Sequence, residues 1–130
     1  MTESHTLNIL IVDDEKVMHT MLSAFISELG HQLHSAYNGA DAFQTIQDQS
    51  FDLVLTDVKM PGMDGLELLE KIRKHTPDLP VVVITGHGDP EMSDKAKVLG
   101  AHDFIIKPVG LRPFMELVQE ISEQKNAPQE

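Results

Sequence analysis

Four short and almost uninterrupted apolar runs divide this chain: Ile9 to Val12, Leu53 to Leu55, Val81 to Ile84 and Phe104 to Ile106. Their β-branched content and brevity predict strands buried on both faces. A weaker extended stretch, Gln32 to Ala36, makes a fifth. Helical patterns fill the gaps. Val17, Met18, Met21, Leu22, Phe25, Ile26 and Leu29 recur at helix spacing, and Gly30 follows where a left-handed C-cap belongs. Asn38 with Asp41 predicts the start of a second helix bearing Ala40, Phe43 and Ile46, and Asp64 with Glu67 predicts a capping box for a third bearing Leu66, Leu69 and Ile72. Asp89 and Pro90 suit the N-cap and first position of a fourth, with Met92, Ala96 and Leu99 on one face before Gly100. Phe114, Leu117, Val118 and Ile121 line a fifth. Strands and helices in strict alternation imply right-handed βαβ units, so the expected class is α/β, a parallel sheet covered on both faces.

Composition narrows the function. At 130 residues and 41% apolar the chain is expected to form one domain with an ordinary core. The expected boundaries are a polar extension over residues 1–6, the domain over 7–123, and a flexible tail or the start of a linker over 124–130, which is polar and contains Pro128. The absence of cysteine excludes disulfides, thiolate metal sites and thiol redox chemistry. Met1 to Asn8 does not resemble a signal peptide, and no apolar run approaches the roughly 20 residues of a membrane span, so the expected location is cytoplasmic. A net charge of -11 opposes attraction to phosphate backbones and anionic lipid, so neither direct nucleic-acid binding nor a membrane partner is expected.

In open α/β sheets ligands bind beyond the carboxyl ends of the strands. The polar residues gather there. Asp13, Asp14 and Glu15 follow the first strand, Asp57 ends the third, Thr85 ends the fourth and Lys107 follows the fifth. Taken alone, the Asp13–Asp14 pair suits the dipole of a helix N-terminus. Together with Asp57 it places several like charges at one sheet edge, an arrangement that calls for a shared cation. The histidines His5, His19, His31, His34, His75, His87 and His102 fall on different predicted elements, which argues against a transition-metal site.

Four segments carry a resemblance: Ile11-Val12-Asp13-Asp14-Glu15, Leu55-Thr56-Asp57-Val58-Lys59-Met60-Pro61-Gly62-Met63-Asp64-Gly65, Ile84-Thr85-Gly86 and Ile106-Lys107-Pro108. In this order and spacing they resemble the response-regulator receiver family of two-component signal transduction, of chemotaxis-regulator type. The resemblance implies a flavodoxin-like, doubly wound five-stranded parallel sheet of order 2-1-3-4-5, flanked by five helices. It implies that Asp57 is the phosphoacceptor, a carboxylate nucleophile assisted by a dication. Mg²⁺ is the implied cofactor, held by Asp14 and Asp57 directly, by Asp13 partly through water, and by the backbone carbonyl of Lys59. Thr85 and Lys107 would contact the phosphoryl oxygens, and a cis peptide before Pro108 would aim the lysine. Lys59 and His87 would flank the path of the attacking water and influence phosphoryl lifetime, while Gly86 leaves open space beside Thr85. Thr85 and Phe104 would form the switch. The implied output is a surface of the fourth helix, fifth strand and fifth helix, with Lys95, Lys97, Asp103, Arg112 and Glu116 available to a partner. Implied partners are a histidine kinase or histidine phosphotransfer protein and a downstream effector protein or output domain, and a phosphorylation-dependent dimer is compatible with the same surface. Such a domain catalyses only its own phosphorylation and dephosphorylation.

Three other readings share parts of the pattern. A flavin-binding module of flavodoxin type has the same architecture, but Asp13-Asp14-Glu15 would repel the flavin phosphate. An aspartyl-nucleophile phosphohydrolase of dehalogenase-like type needs a second acid two residues after the nucleophile, where Lys59 stands. A receiver-like scaffold that has lost phosphorylation would lack some of the functional positions, all of which carry suitable residues here. Around the fifth strand and last helix the chain lacks the arginine-rich pattern of receivers that dimerise beside winged-helix domains. It is more similar there to receivers feeding ATPase-type transcription activators or relays.

Overall fold

The computed structural model describes residues 6–86 and 90–126. Strands β1 (Asn8–Val12), β2 (Gln32–Ala36), β3 (Leu53–Asp57), β4 (Val81–Thr85) and β5 (Asp103–Ile106) alternate with helices α1 (Lys16–Glu28), α2 (Gly39–Asp48), α3 (Gly65–His75), α4 (Pro90–Val98) and α5 (Leu111–Asn126). All pairings are parallel and the sheet order is β2-β1-β3-β4-β5. The chain runs outward from β1 to β2, then crosses back to β3, so the strand order reverses between β1 and β3. That reversal opens a crevice at their carboxyl ends.

The uniformly apolar runs conceal a period of two. Ile9, Ile11, Leu53, Leu55, Val82 and Ile84 pack with Leu22 and Ile26 of α1 and Phe114 and Val118 of α5. Leu10, Val12, Val54, Val81 and Val83 pack on the opposite face with Ala42 and Ile46 of α2, Leu69 and Ile72 of α3 and Ala96 of α4. Alternate side chains of each central strand thus feed two separate cores, which is why those strands tolerate no polar residue until they reach the crevice.

Local chemistry ends and starts the helices as expected. Gly30 and Gly100 adopt positive φ after α1 and α4. The Asn38 side chain accepts from the Asp41 N–H at 2.7 Å. At α3 the capping box is complete: the Glu67 N–H donates to Asp64 Oδ1 at 2.8 Å and the Asp64 N–H donates to Glu67 Oε1 at 3.3 Å.

Four expectations need correction or restriction. Burial on both faces holds for β3, β4 and nearly all of β1, whereas β5 is an edge strand whose Ile106 is 52% exposed. Val17 has helical spacing but is 78% exposed, because it lies on the solvent side of the first turn of α1. Helix α5 continues to Asn126, past the Glu123 expected to close the domain. Asp89, expected to cap α4, lies outside the described residues, although Pro90 does open that helix. Among the described residues no helix is long and apolar enough to cross a membrane.

Candidate functional site

Three connections meet at the crevice. Immediately after β1, the Asp13 side chain turns inward and is 2% exposed, and its Oδ1 accepts from the Glu15 N–H at 2.8 Å. Asp14 and Glu15 face solvent. Asp57 closes β3 and is 7% exposed; its Oδ1 accepts from the Val58 N–H at 2.7 Å. The Thr56 hydroxyl donates to the Asp57 carbonyl at 2.9 Å, securing the backbone at that point. Lys107 enters from the far side of the sheet. Its N–H donates to the Thr85 carbonyl at 2.7 Å, the Lys107–Pro108 peptide is cis, and Nζ reaches Asp57 Oδ2 at 3.1 Å and Asp13 Oδ2 at 3.4 Å.

The result is an unbalanced cluster. One carboxylate oxygen each from Asp13, Asp14, Glu15 and Asp57 lies within 4.8 Å of the others, with the Lys107 ammonium bonded to only two of these groups. Burial raises the Asp13 carboxyl above its ordinary value of 3.8, more than the Glu15 N–H and the Lys107 charge lower it, and the nearby Asp57 charge adds to the rise. Burial pushes the Lys107 ammonium down, but hydrogen bonding and charge from Asp57, then Asp13, outweigh it and hold the group above 10.5. Hard oxygens in excess of positive charge, two of them on buried residues and two open to water, suit a small divalent cation that keeps part of its hydration shell.

The remaining expected residues surround this cluster. Thr85 is buried at the end of β4. A Cβ built on its neighbour Gly86 would meet no heavy atom within 4 Å outside its chain neighbours. Lys59 is exposed two residues beyond Asp57. Phe104 is half-buried against the core layer of α2, α3 and α4. It pairs with Val83, and Ile106 pairs with Thr85, so Phe104 and Thr85 lie on one face of the sheet two residues apart along the strand direction. His87 lies outside the described residues.

Three residues have roles that were not assigned from the sequence. Glu15, placed with Asp13 and Asp14 after the first strand but given no ligand role, joins the carboxylate group. Gly65 opens α3 against the end of β3: its N–H donates to the Val58 carbonyl at 2.8 Å, and a Cβ there would overlap the Asp57 carbonyl oxygen and approach Val58 Cα to 2.9 Å. The place of Gly65 at the first position of a capped helix was visible, but the pressure of β3 behind it was not. His19 is 4% exposed and bonds the Asp13 carbonyl. Its other partners, Ser35 and Tyr37, come from a different part of the chain, so no local signal distinguished it from the other histidines.

Comparison with known proteins gives the same picture. The family model for the response regulator receiver domain matches residues 9–119. Regulatory protein AtoC of Escherichia coli (strain K12) is 39% identical over 111 residues, which make up 85% of this chain and 24% of AtoC. The DNA-binding transcriptional regulator NtrC of the same organism is 33% identical over 109 residues, 84% of this chain and 23% of NtrC. The chain therefore spans about a quarter of the length of these curated relatives. The crystal structure of a CheY-like response regulator receiver domain protein from Methanospirillum hungatei JF-1 superposes with a TM-score of 0.88 at 32% identity, covering 94% of this chain and 98% of that one.

Proposed function

Since this chain belongs to the response regulator receiver domain family of two-component signalling modules, which are not catalytic enzymes, we propose that it is a phosphorylation switch operated through Asp57. The family membership sets aside the flavin-binding and phosphohydrolase readings. The observation that carries the proposal is the convergence of the Asp13, Asp14 and Asp57 carboxylates with the Lys107 ammonium at the mouth of the β1/β3 crevice.

The donor is the phosphohistidine of a histidine kinase or histidine phosphotransfer protein. A carboxylate oxygen of Asp57 bonds to phosphorus as the phosphorus–nitrogen bond of the donor breaks, and the imidazole leaves with that electron pair. Asp14 and Asp57 would hold Mg²⁺ directly, Asp13 would act partly through water and the Lys59 carbonyl would complete the protein ligands. When bound, the ion neutralises charge on the transferring phosphoryl oxygens. The chain's own groups do the rest. The Val58 N–H keeps one Asp57 oxygen oriented, Lys107 is already within reach of the other, and after transfer its ammonium pairs with a phosphoryl oxygen. The Thr85 hydroxyl donates to another, a charge-assisted bond stronger than one to water. Lys59, exposed two residues beyond Asp57, flanks the approach of hydrolytic water, and Gly86 keeps room beside Thr85.

Movement of Thr85 toward the phosphoryl group frees space on its face of the sheet, into which Phe104 turns. The change reaches the surface of α4, β5 and α5, where Lys95, Lys97, Asp103, Arg112 and Glu116 are exposed. An effector or output domain reads that surface, and it also offers the contact for a phosphorylation-dependent dimer. By likeness to the DNA-binding transcriptional regulator NtrC, the output is control of transcription. A net charge of -11 assigns any DNA contact to another part of such a regulator.

Intact mass spectrometry after incubation with acetyl phosphate and Mg²⁺ tests the central claim. The wild-type chain should gain one phosphoryl group, and Asp57→Asn should gain none. Adduct formation at a comparable rate in the mutant would remove Asp57 from its role.

A further inference from the structure

His19 lies beneath the β1–α1 turn and has no part in the scheme above. Its Nε2 is 2.7 Å from the Asp13 carbonyl oxygen and its Nδ1 is 3.0 Å from the Ser35 hydroxyl. A carbonyl only accepts, so Nε2 carries the hydrogen; in the neutral ring, Nδ1 then accepts from the hydroxyl. The Tyr37 ring lies against the imidazole with centroids 4.3 Å apart, and the histidine is almost completely removed from water. A hydrogen bond in such surroundings is stronger than one exposed to solvent. The ring is thus held from three directions, by its own helix α1, by β2 and by the residue that follows β2.

What the ring holds is the link between two proposed cation ligands. The Asp13 carbonyl and the Asp14 nitrogen share one planar peptide unit, so fixing the carbonyl fixes the plane from which Asp14 departs. The N–H of Asp13 is anchored separately to the Ala36 carbonyl at 3.2 Å, and its side chain is held by the Glu15 N–H and Lys107. The Asp14 side chain is exposed, so its direction depends mainly on the backbone that carries it. We propose that His19 is a positioning residue for the cation site. Through the Asp13 carbonyl it presets the Asp14 carboxylate against Asp13 and Asp57, and so raises affinity for Mg²⁺ without touching the ion or the phosphoryl group. This role rests on the phosphorylation reading above only in needing a Mg²⁺ site at these carboxylates.

The test compares the wild-type chain with His19→Leu, which fills the space without a donor, and His19→Gln, whose amide N–H can reach the same carbonyl. Mg²⁺ affinity is measured by calorimetry and by the amide shifts of Asp13 and Asp14, alongside the urea midpoint of each protein. Loss of a residue that orients a metal ligand commonly weakens binding by about tenfold or more. That loss is expected in His19→Leu, with most of it recovered in His19→Gln. In the acetyl phosphate reaction the half-saturating Mg²⁺ concentration should shift more than the maximal rate. Unchanged affinity in His19→Leu overturns the proposal, as does a loss of affinity that merely follows the loss of urea stability in both variants. Should His19→Leu fail to fold, Ser35→Ala carries the test by releasing Nδ1. Weaker Mg²⁺ binding at an unaltered urea midpoint supports the role, and unchanged affinity overturns it. A wild-type chain that binds no Mg²⁺ would instead overturn the function proposed above.

Discussion

Asp13 shows how a single buried acid links the site to stability. Burial raises its proton affinity in the folded state. A carboxyl whose folded pKa exceeds its unfolded one binds protons more tightly when folded, so its contribution declines as pH rises from the ordinary range near 3.8 through the raised value. Above that ordinary range the folded chain therefore loses the stability that the protonated carboxyl contributes. Without Mg²⁺, Asp13→Asn should raise the urea midpoint at neutral pH, and the gain should vanish in acid, where the wild-type carboxyl is protonated. A variant less stable than wild type at neutral pH would contradict this. Lys107, also raised, follows the same rule at higher pH: its contribution is complete below 10.5 and is lost as pH rises through its raised value. Gly65 makes a steric prediction. A methyl group there must displace the end of β3, so Gly65→Ala should cost about 2 kcal/mol in urea unfolding and slow formation of the proposed Asp57 adduct, because it shifts the backbone that presents the Asp57 carboxylate. Asp57 and Lys107 were legible in the sequence because each terminates an apolar run; His19 was not, because a backbone carbonyl partner leaves no mark in the sequence and its other partners, Ser35 and Tyr37, lie on β2 and just beyond.

Among the elements, helix starts were the most legible, since capping depends on residues three apart in sequence. The α3 box is the clearest case, and it sits at the end of the loop that leads from Asp57 through Gly62, which has positive φ. Asp64→Ala should lower stability by about 1 kcal/mol, measured by urea unfolding. A change near zero would mean that solvent satisfies the α3 N–H groups as well as the side chain does. Burial of the strands was less legible. Phe104 to Ile106 is as apolar as the central runs, yet its strand lies at the sheet edge, and hydrophobicity alone carries no information about which neighbour a strand pairs with. Val17 makes the same point for a helix: it matches the apolar period of α1 but faces water.

For the molecule as a whole, the question is how an event at Asp57 reaches α4, β5 and α5. A ligand shifts a conformational equilibrium only by its differential affinity for the two states. The Thr85 hydroxyl and the half-buried Phe104, on one face of the sheet, are the elements proposed to differ. Arg73 restrains the other end of the route: its Nε donates to the Gly100 carbonyl at 3.0 Å, and its Nη1 donates to the Thr76 and Pro77 carbonyls at 3.3 and 3.2 Å. This ties the end of α4 to the end of α3. Beryllofluoride with Mg²⁺ should therefore shift backbone amides across residues 86–118, more strongly near Pro90 than near Gly100, and Thr85→Ala should shrink those shifts. Shifts confined to the loops around Asp13, Asp57 and Lys107 would show that the signal does not travel this way.

By itself the sequence determined the α/β alternation, the caps of α2 and α3 and the carboxyl-end position of the acidic and basic residues, because each depends on near neighbours along the chain. The family motifs added the strand order. Tertiary structure alone decided that Lys107 bonds both Asp57 and Asp13, that Gly65 has no room for a side chain, that β5 is half-exposed and that His19 grips the Asp13 carbonyl. The physical reason is common to all four. Each depends on how whole elements are set against one another, a strand end against a helix or one strand against the next, and that placement exists only once the two cores have closed around the sheet.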